Sequence, residues 1–433
     1  MASVLKVDKL DPQSGTALEI GTSGDTVTVP TGAGLTVTDE VKTNKVSPAT
    51  GTAFALGDSG DTFTVPSGAT IVNSGTATGF GISQTSFLPL ATPLIINGDM
   101  QVNQRGTVTG ITTNTYGVDQ WLTEGDDTTL TMSKDTDVPT GAGFGASLKL
   151  DVTTAAGSVG ASDLQILSTR LEGQNLQVFK KGTSDAETFT VAFWVKNTIA
   201  GDFIVHLADD DNSREVSILY TIDSADTWEK KIVTLPADTT GAFANDNGRS
   251  LRMKWYIDAG TDWTAGTLQT AWGKGANNTR AGGITTGWIT DTANNFWLTG
   301  VQLEVGTYTS SDIPPFQHES YGDNLARCQR YYQLHDALNG ASSSSTSVAF
   351  IWQYTVEMRA IPSGEVTAAL KVSNNVDADY TQTSAGISMY SGRVSTRGAL
   401  AQGFDFPTLA DPVGRMYNMH PVVSGSIALS AEL

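Results

Sequence analysis

The chain has 433 residues, of which 39% are hydrophobic and only 16% are charged, and its 45 glycines favour turns and β-structure over long helices. The formal net charge of −19 repels phosphate backbones and anionic lipid, which argues against nucleic acid as a partner. One cysteine and four scattered histidines provide neither a disulfide framework nor the spacing of a zinc site, and no apolar run is long enough to predict membrane insertion.

The chain begins with a duplicated segment. "MASVLKVDKLD" lacks the apolar region of a signal peptide, so we expect synthesis in the cytoplasm without export. "TALEIGTSGDTVTVPTGA" (16–33) then recurs, with few changes, as "TAFALGDSGDTFTVPSGA" (52–69). Each copy carries a short strand of period two, which places Val27 and Val29, or Phe63 and Val65, on one face.

The repeat is too poor in large apolar residues to bury a core alone, because stacked repeats usually need three or more copies. Three chains wound about one axis would supply the missing partners. We therefore predict a homotrimeric stem over residues 1–80, with a flexible Thr/Gly-rich tail as the alternative. A polar linker with prolines follows at 81–93.

Residues 94–334 have the pattern of a β-sandwich. Several segments alternate apolar and polar residues, which is typical of strands with one buried face. The residues that this pattern places in the core are Phe189, Val191, Phe193, Val195, Phe203, Val205, Leu207, Leu251, Met253, Trp255, Ile257, Trp297, Val301, Leu303 and Val305.

A short helix is expected at "YGDNLARCQRYYQLHD", with Asp323 as its N-cap. Cys328 lies on its apolar face, where a thiol usually behaves as a small hydrophobe; a reactive nucleophile is the alternative. The serine run and short strands that follow predict a small C-terminal β-domain over residues 335–433.

Several segments carry a family resemblance. "PLIINGDMQVNQRG", "FTVAFWVKN", "TWEKKIVTLP" and "VQLEVGTYTSSDIPPFQHESYGDNLARCQRYYQ" resemble the jelly-roll module of bacteriophage tail-fibre and appendage proteins, which is similar to carbohydrate-binding modules. The resemblance covers roughly residues 94 to 334. It implies an all-β virion structural protein, which attaches to tail or adaptor proteins through its N-terminus and binds host-surface polysaccharide as a homotrimer.

Related modules often hold a structural calcium between an acid near "NGD" and a second acid in the final strand. Asp99 occupies the position of the acid near "NGD", but Thr299 and Gly300 occupy the position of the acid in the final strand. We therefore predict no cofactor and no metal site, and the calcium stays an open alternative.

Sugar recognition requires exposed aromatic faces together with polar groups that bind hydroxyls. Trp194 lies on the less apolar face of its strand, where His206 is expected to join it, and three tryptophans lie in a long loop rich in Gly, Asn and Thr. Two tyrosines stand in turn-rich segments of the C-terminal domain, whose loops would be the most distal surface of a fibre that docks by its N-terminus. The candidate carbohydrate-binding residues are Trp194, His206, Trp263, Trp272, Trp288, Tyr390 and Tyr417.

Large aromatics in loops also fold back to cap a sandwich, and the same tyrosines would fill a small core, so structural roles stay open for these residues. The sequence shows no nucleophile paired with a base and no identifiable pair of carboxylates. It therefore does not predict catalysis. The favoured function is a non-enzymatic tail fibre that binds host glycan during adsorption. The alternatives are a depolymerase tailspike and a purely architectural head or collar fibre.

Overall fold

The computed structural model describes residues 92–125, 127–284, 286–335, 338–366, 370–373, 379–381, 387–403, 409, 416–421 and 427–433. These residues belong to one compact unit. The duplicated segment with its predicted stem residues, and nearly all of the linker, lie outside the described residues.

The first part of the described chain is built almost entirely from strands. In chain order the strands and the two α-helices are β1 Val108–Ile111, β2 Thr115–Tyr116, β3 Leu122–Glu124, β4 Thr129–Asp135, β5 Ser147–Thr154, β6 Leu164–Glu172, β7 Phe189–Asn197, β8 Gly201–Asp209, β9 Arg214–Ile222, β10 Glu229–Leu235, β11 Arg249–Ala259, α1 Thr261–Thr264, β12 Asn295–Val305 and α2 Tyr321–Gln329. Single 3₁₀ turns lie at Gly173–Asn175, Gln177–Phe179, Asn277–Thr279 and Trp288–Thr290.

Strands β1 to β12 form two six-stranded antiparallel sheets. Sheet A has the order β1-β4-β5-β12-β7-β10, and sheet B has the order β2-β3-β6-β11-β8-β9. One apolar cluster contains side chains from both sheets. The prediction of a β-sandwich is therefore confirmed, and all described helices are short.

The core follows the predicted alternation along three strands. The inward residues of β7, β8 and β11 are all buried: Phe189, Val191, Phe193, Val195, Phe203, Val205, Leu207, Leu251, Met253, Trp255 and Ile257. Because successive side chains of a strand point to opposite faces, their neighbours lie on the outer faces of the two sheets.

Strand β12 departs from the predicted alternation. Its first half buries Phe296 and Leu298 in the core, whereas its second half buries Val301 and Leu303. The register of β12 against β7 shifts between Thr299 and Gln302, which is a β-bulge that exchanges the two faces of the strand. Trp297 is buried, as predicted, but it lies outside the main apolar cluster, because the alternation places its side chain on the outer face of sheet A.

The long segment between β11 and β12 covers part of the outer face of sheet B. Ile204 and Tyr256 from that face form a second apolar cluster with Ala281 and Ile284 from the segment. Trp263 packs against the same cluster. This part of sheet B is thus closed to solvent.

Helix α2 confirms the predicted helix, but it begins one turn earlier than expected. Ser320 is its N-cap and accepts a hydrogen bond from the backbone N–H of Asp323. Cys328 is buried on the helix, and burial raises the pKa of its thiol well above the ordinary value. A buried, protonated thiol behaves as a small hydrophobe and not as a nucleophile.

The remaining strands form two further sheets. They are β13 Tyr332–His335, β14 Leu338–Ser344, β15 Ser347–Gln353, β16 Ser363–Val366, β17 Leu370–Ser373, β18 Asp379–Thr381, β19 Ile387–Val394, β20 Gly398–Gly403, β21 Met416–Pro421 and β22 Ile427–Ser430. Sheet C has the order β13-β22-β16, and sheet D has the order β18-β17-β21-β14-β15-β20-β19.

Charged side chains form contacts between this part of the chain and the sandwich. Arg105 forms an ion pair of 2.7 Å with Glu432, and Arg359 Nη1 donates to the carbonyl of Asn247 at 3.1 Å. The predicted domain boundary between residues 334 and 335 falls inside β13.

Candidate functional site

The seven predicted sugar-binding residues do not form one site. His206, Trp288 and Tyr417 are buried side chains, each at most 1% exposed, so a polysaccharide outside the protein cannot contact them. Tyr390 lies in strand β19. Trp194, by contrast, is half-buried on the outer face of sheet A.

His206 lies on the other sheet from Trp194, in β8 of sheet B. Its Nδ1 donates to the hydroxyl of Ser217 at 2.9 Å, since that hydroxyl donates in turn to the carbonyl of Arg280. Burial, and then the charge of Lys254 and of nearby arginines, hold the pKa of His206 well below its usual range. Glu215 lies 3.8 Å from Nε2, but both of its oxygens accept from Arg280. His206 is therefore a neutral interior residue.

The three loop tryptophans cap the sandwich. The indole N–H of Trp263 donates to the carbonyl of Ser162 at 2.9 Å, and that of Trp272 donates to the carbonyl of Pro236 at 2.7 Å. Trp288 is part of the main core. Trp263 and Trp272 are half-buried and pack against the two apolar clusters, which favours the structural role that the sequence had left open.

Trp194 is surrounded by residues that the sequence did not single out. Strand β7 lies between β12 and β10, so Trp194 stands opposite Thr299 on one side and Lys230 on the other. Its ring forms no aromatic contact and its indole N–H no hydrogen bond within the described part of the chain. The ring is therefore available for a ligand.

A row of alternating cations and indoles runs beside Trp194. Register pairs place Lys149 of β5, Trp297 of β12 and Lys196 of β7 side by side on the outer face. The ammonium of Lys196 lies 4.1 Å from the centre of the Trp297 ring, and that of Lys149 lies 5.4 Å from it. At these distances the cations are attracted to the ring face, and the side chain of Lys196 covers it.

A third indole, Trp228, extends the row at the start of β10. Lys196 lies 6.0 Å from the centre of the Trp228 ring. Trp228 precedes Lys230 by two positions, and residues two apart along a strand lie about 7 Å from each other on the same face. Trp194 in β7 and Trp228, which immediately precedes β10, are thus two half-buried indoles on the outer face of sheet A.

Two carboxylates at the end of β4 orient these tryptophans. The indole N–H of Trp297 donates to Asp135 at 3.1 Å, and that of Trp228 donates to Asp137 at 2.8 Å. Asp137 also forms an ion pair with Lys196. We call the surface formed by Trp194, Trp228, Trp297, Lys149, Lys196, Lys230, Asp135 and Asp137 the tryptophan face.

The charges of the tryptophan face are mostly balanced within it. Partial burial works to raise the pKa of Asp137, but hydrogen bonds from Lys196 and Trp228 and the lysine charges outweigh it and lower the pKa. Asp137 is therefore an anion at neutral pH. The pKa of Lys230 is lowered by burial alone.

The residues at the position of the alternative calcium site do not fit that ion. Asp99 is buried and accepts a hydrogen bond of 3.3 Å from Asn324, and burial raises the pKa of its carboxyl. Thr299 donates its hydroxyl to the carbonyl of Ala146 at 2.7 Å. Among the described residues, no group of three or more His, Cys, Asp or Glu side chains could hold a metal. The same part of the chain contains no helix long and apolar enough to cross a membrane.

No protein-family model and no curated protein matches the chain. Similar solved structures include the enzymatically active domain of tailspike protein 4 of bacteriophage CBA120, at 13% identity and a TM-score of 0.29; the match covers 49% of this chain and 21% of that one. A putative sugar-binding protein from Bacteroides thetaiotaomicron is 12% identical with a TM-score of 0.28, over 49% of this chain and 100% of that one. The family 11 carbohydrate-binding module from Clostridium thermocellum, in complex with a mixed-linked tetrasaccharide, is 9% identical with a TM-score of 0.24, over 47% of this chain and 98% of that one.

Proposed function

We propose that this protein is a structural protein of a phage virion, a tail fibre, that binds host-surface polysaccharide through the tryptophan face. The observation that carries the glycan-binding role is the pair of half-buried indoles, Trp194 and Trp228, set on a rigid sheet among lysines and carboxylates. Flat apolar rings suit the C–H face of a pyranose, and the polar groups suit its hydroxyls.

The rigidity of the face favours binding. The indole N–H of Trp228 donates a hydrogen bond to Asp137, and Asp137 forms an ion pair with Lys196. Because these side chains are ordered before a ligand arrives, less conformational entropy is lost on binding. Trp194 and Trp228 are diagonal neighbours, and because diagonal neighbours of adjacent strands lie about 7–8 Å apart, the two indoles can stack neighbouring sugar rings of one chain.

The fibre architecture is supported by the sequence. The duplicated segment has too few apolar residues to fold alone, and we propose that it forms a homotrimeric stem that docks to tail or adaptor proteins and places the protein in the virion. Aspartate at Val29 and Val65 would then bury unpaired charge and abolish assembly, which light scattering of the full chain measures. A trimer that persists in this double variant would refute the shared stem core.

Electron microscopy of virions distinguishes a tail fibre from a head or collar fibre.

We propose binding without cleavage. Glycoside hydrolysis uses a carboxylic acid opposite a second carboxylate. On the outer face of sheet A, burial raises the pKa of Glu304 to about 7, as an acid catalyst requires. However, Asp135 and Asp137 are held by indole donors. Incubation with host polysaccharide should therefore release no new reducing ends, whereas their release would favour the depolymerase.

A glycan microarray tests the proposed binding. The full-length protein should bind a subset of polysaccharides, and the Trp194→Ala/Trp228→Ala double variant should lose that signal. Trp263→Phe is the matched control, because Trp263 is an aromatic of the capping segment and lies off the face. Equal binding by all three proteins would move the site elsewhere.

A further inference from the structure

One adjacent pair on the tryptophan face is left without partners. Trp194 and Lys230 stand directly opposite each other on β7 and β10. Neither side chain forms a hydrogen bond, an ion pair or a ring contact with any described residue. Directly opposed residues of antiparallel strands have Cβ atoms about 5 Å apart, so the ring and the ammonium flank the same small area.

The other lysines of the face differ from Lys230. Lys196 is paired with Asp137, and Lys149 lies 3.7 Å from Asp151. Both also interact with the ring of Trp297. Lys230 is thus the lysine of the tryptophan face that has no counter-charge in the described structure.

Lys230 is an exposed residue of β10, so a ligand in solution can reach its side chain. Partial desolvation lowers its pKa, and no neighbouring carboxylate opposes the shift. An anion that arrived with a ligand would favour the charged form of the ammonium.

We propose that Trp194 and Lys230 together select a uronic acid: the sugar ring stacks on the indole while its carboxylate accepts a hydrogen bond from the ammonium. The inference rests on the proposed glycan-binding function and specifies its substrate class. Neighbouring strands are about 4.8 Å apart, a distance that suits a carboxylate attached directly to a stacked ring.

The net charge of −19 opposes a polyanion at long range. At physiological ionic strength, however, charges more than about 8 Å away are largely screened. The contact between Lys230 and a carboxylate falls within that distance. Selection therefore depends on this contact and is measured at physiological salt.

The experiment compares uronides with their neutral counterparts. Polygalacturonate, alginate and hyaluronan are each presented to the full-length protein beside the same polymer after carboxyl reduction. Dextran serves as a neutral reference and dextran sulfate as a polyanion without carboxylates. The proteins are wild type, Lys230→Gln, Lys230→Arg and the charge control Lys180→Gln, whose lysine is exposed and paired with Glu187.

We expect at least one uronide to bind about tenfold more tightly than its reduced form, which is the contribution of one charge-assisted hydrogen bond. Lys230→Gln should abolish that preference, Lys230→Arg should restore most of it, and Lys180→Gln should keep it. If the protein bound only neutral polymers and Trp194→Ala abolished that binding, the uronic acid inference would be overturned. The glycan-binding function would still stand. Equal binding of dextran sulfate would also overturn it. Failure of every polymer to bind would contradict both.

Discussion

The indole N–H of Trp228 donates a hydrogen bond of 2.8 Å to Asp137, and the other oxygen of that carboxylate holds Lys196. One side chain from the end of β4 thus fixes two residues of other strands. Its charge is maintained because those two donors lower the pKa of Asp137.

We therefore predict that Asp137→Asn weakens glycan binding about 3- to 10-fold, because the amide keeps an acceptor for Trp228 but repels Lys196. The free energy of unfolding should change by less than about 1 kcal/mol, since the pair is at the surface. Isothermal titration calorimetry and urea unfolding measure the two effects. Asp223→Asn removes an exposed carboxylate paired with Lys231 and is the control that should bind normally.

Trp297 should behave differently from Trp194. It is only 8% exposed beneath Lys196, so Trp297→Ala should lower the free energy of unfolding by about 3 kcal/mol. Trp194→Ala should lower it much less, because that ring is half-buried and forms no hydrogen bond or ring contact with a described residue. Urea unfolding of both variants checks this difference, and equal losses would mean that Trp194 also serves to pack the sheet.

The buried His206 should lower the free energy of unfolding in acid. Its folded pKa lies well below the unfolded value of about 6.5, so below pH 6.5 the unfolded chain takes up a proton that the folded chain refuses. Each pH unit in this window should cost up to about 1.4 kcal/mol. His206→Gln should remove this part of the pH dependence of unfolding, whereas the same change at the exposed His318 should not. An identical pH slope in wild type and His206→Gln would refute the account.

Gly300 supports the bulge that turns Trp297 outward. Its φ is +62°, and a Cβ would lie 2.5 Å from the ring of Phe144. Gly300→Ala should destabilise the protein by about 1–3 kcal/mol through strain and this clash. Gly110→Ala is the control, with φ of +68° and open space around the Cβ position. Thermal unfolding should show a clearly larger loss for Gly300→Ala than for Gly110→Ala.

The core could be predicted from the sequence because alternation along a strand is a local property. Phe193, Phe203 and Trp255 all lie inside as the period of two indicates. The pattern predicted the burial of Trp297 but not its face, because a single bulge exchanges the two faces. A glycine inside a strand, here Gly300, was the available signal for that bulge.

The site was harder to predict because alternation says which face a residue takes but not which sheet its strand joins. Trp194 and His206 both lie on outer faces, yet on different sheets. Lys196 follows Trp194 at period two, and Trp228 and Lys230 repeat that spacing. Their pairing across β7 and β10 depends on the strand order, which one sequence does not determine.

The most direct measurement of the central claim is the affinity of the full-length protein, by calorimetry, for the glycan that gives the strongest array signal. Trp194→Ala and Trp228→Ala should each weaken the affinity at least about 10-fold, as expected for tryptophans at the centre of a binding surface. Trp263→Phe should bind as wild type does. Unchanged affinity in both face variants would contradict binding at the tryptophan face.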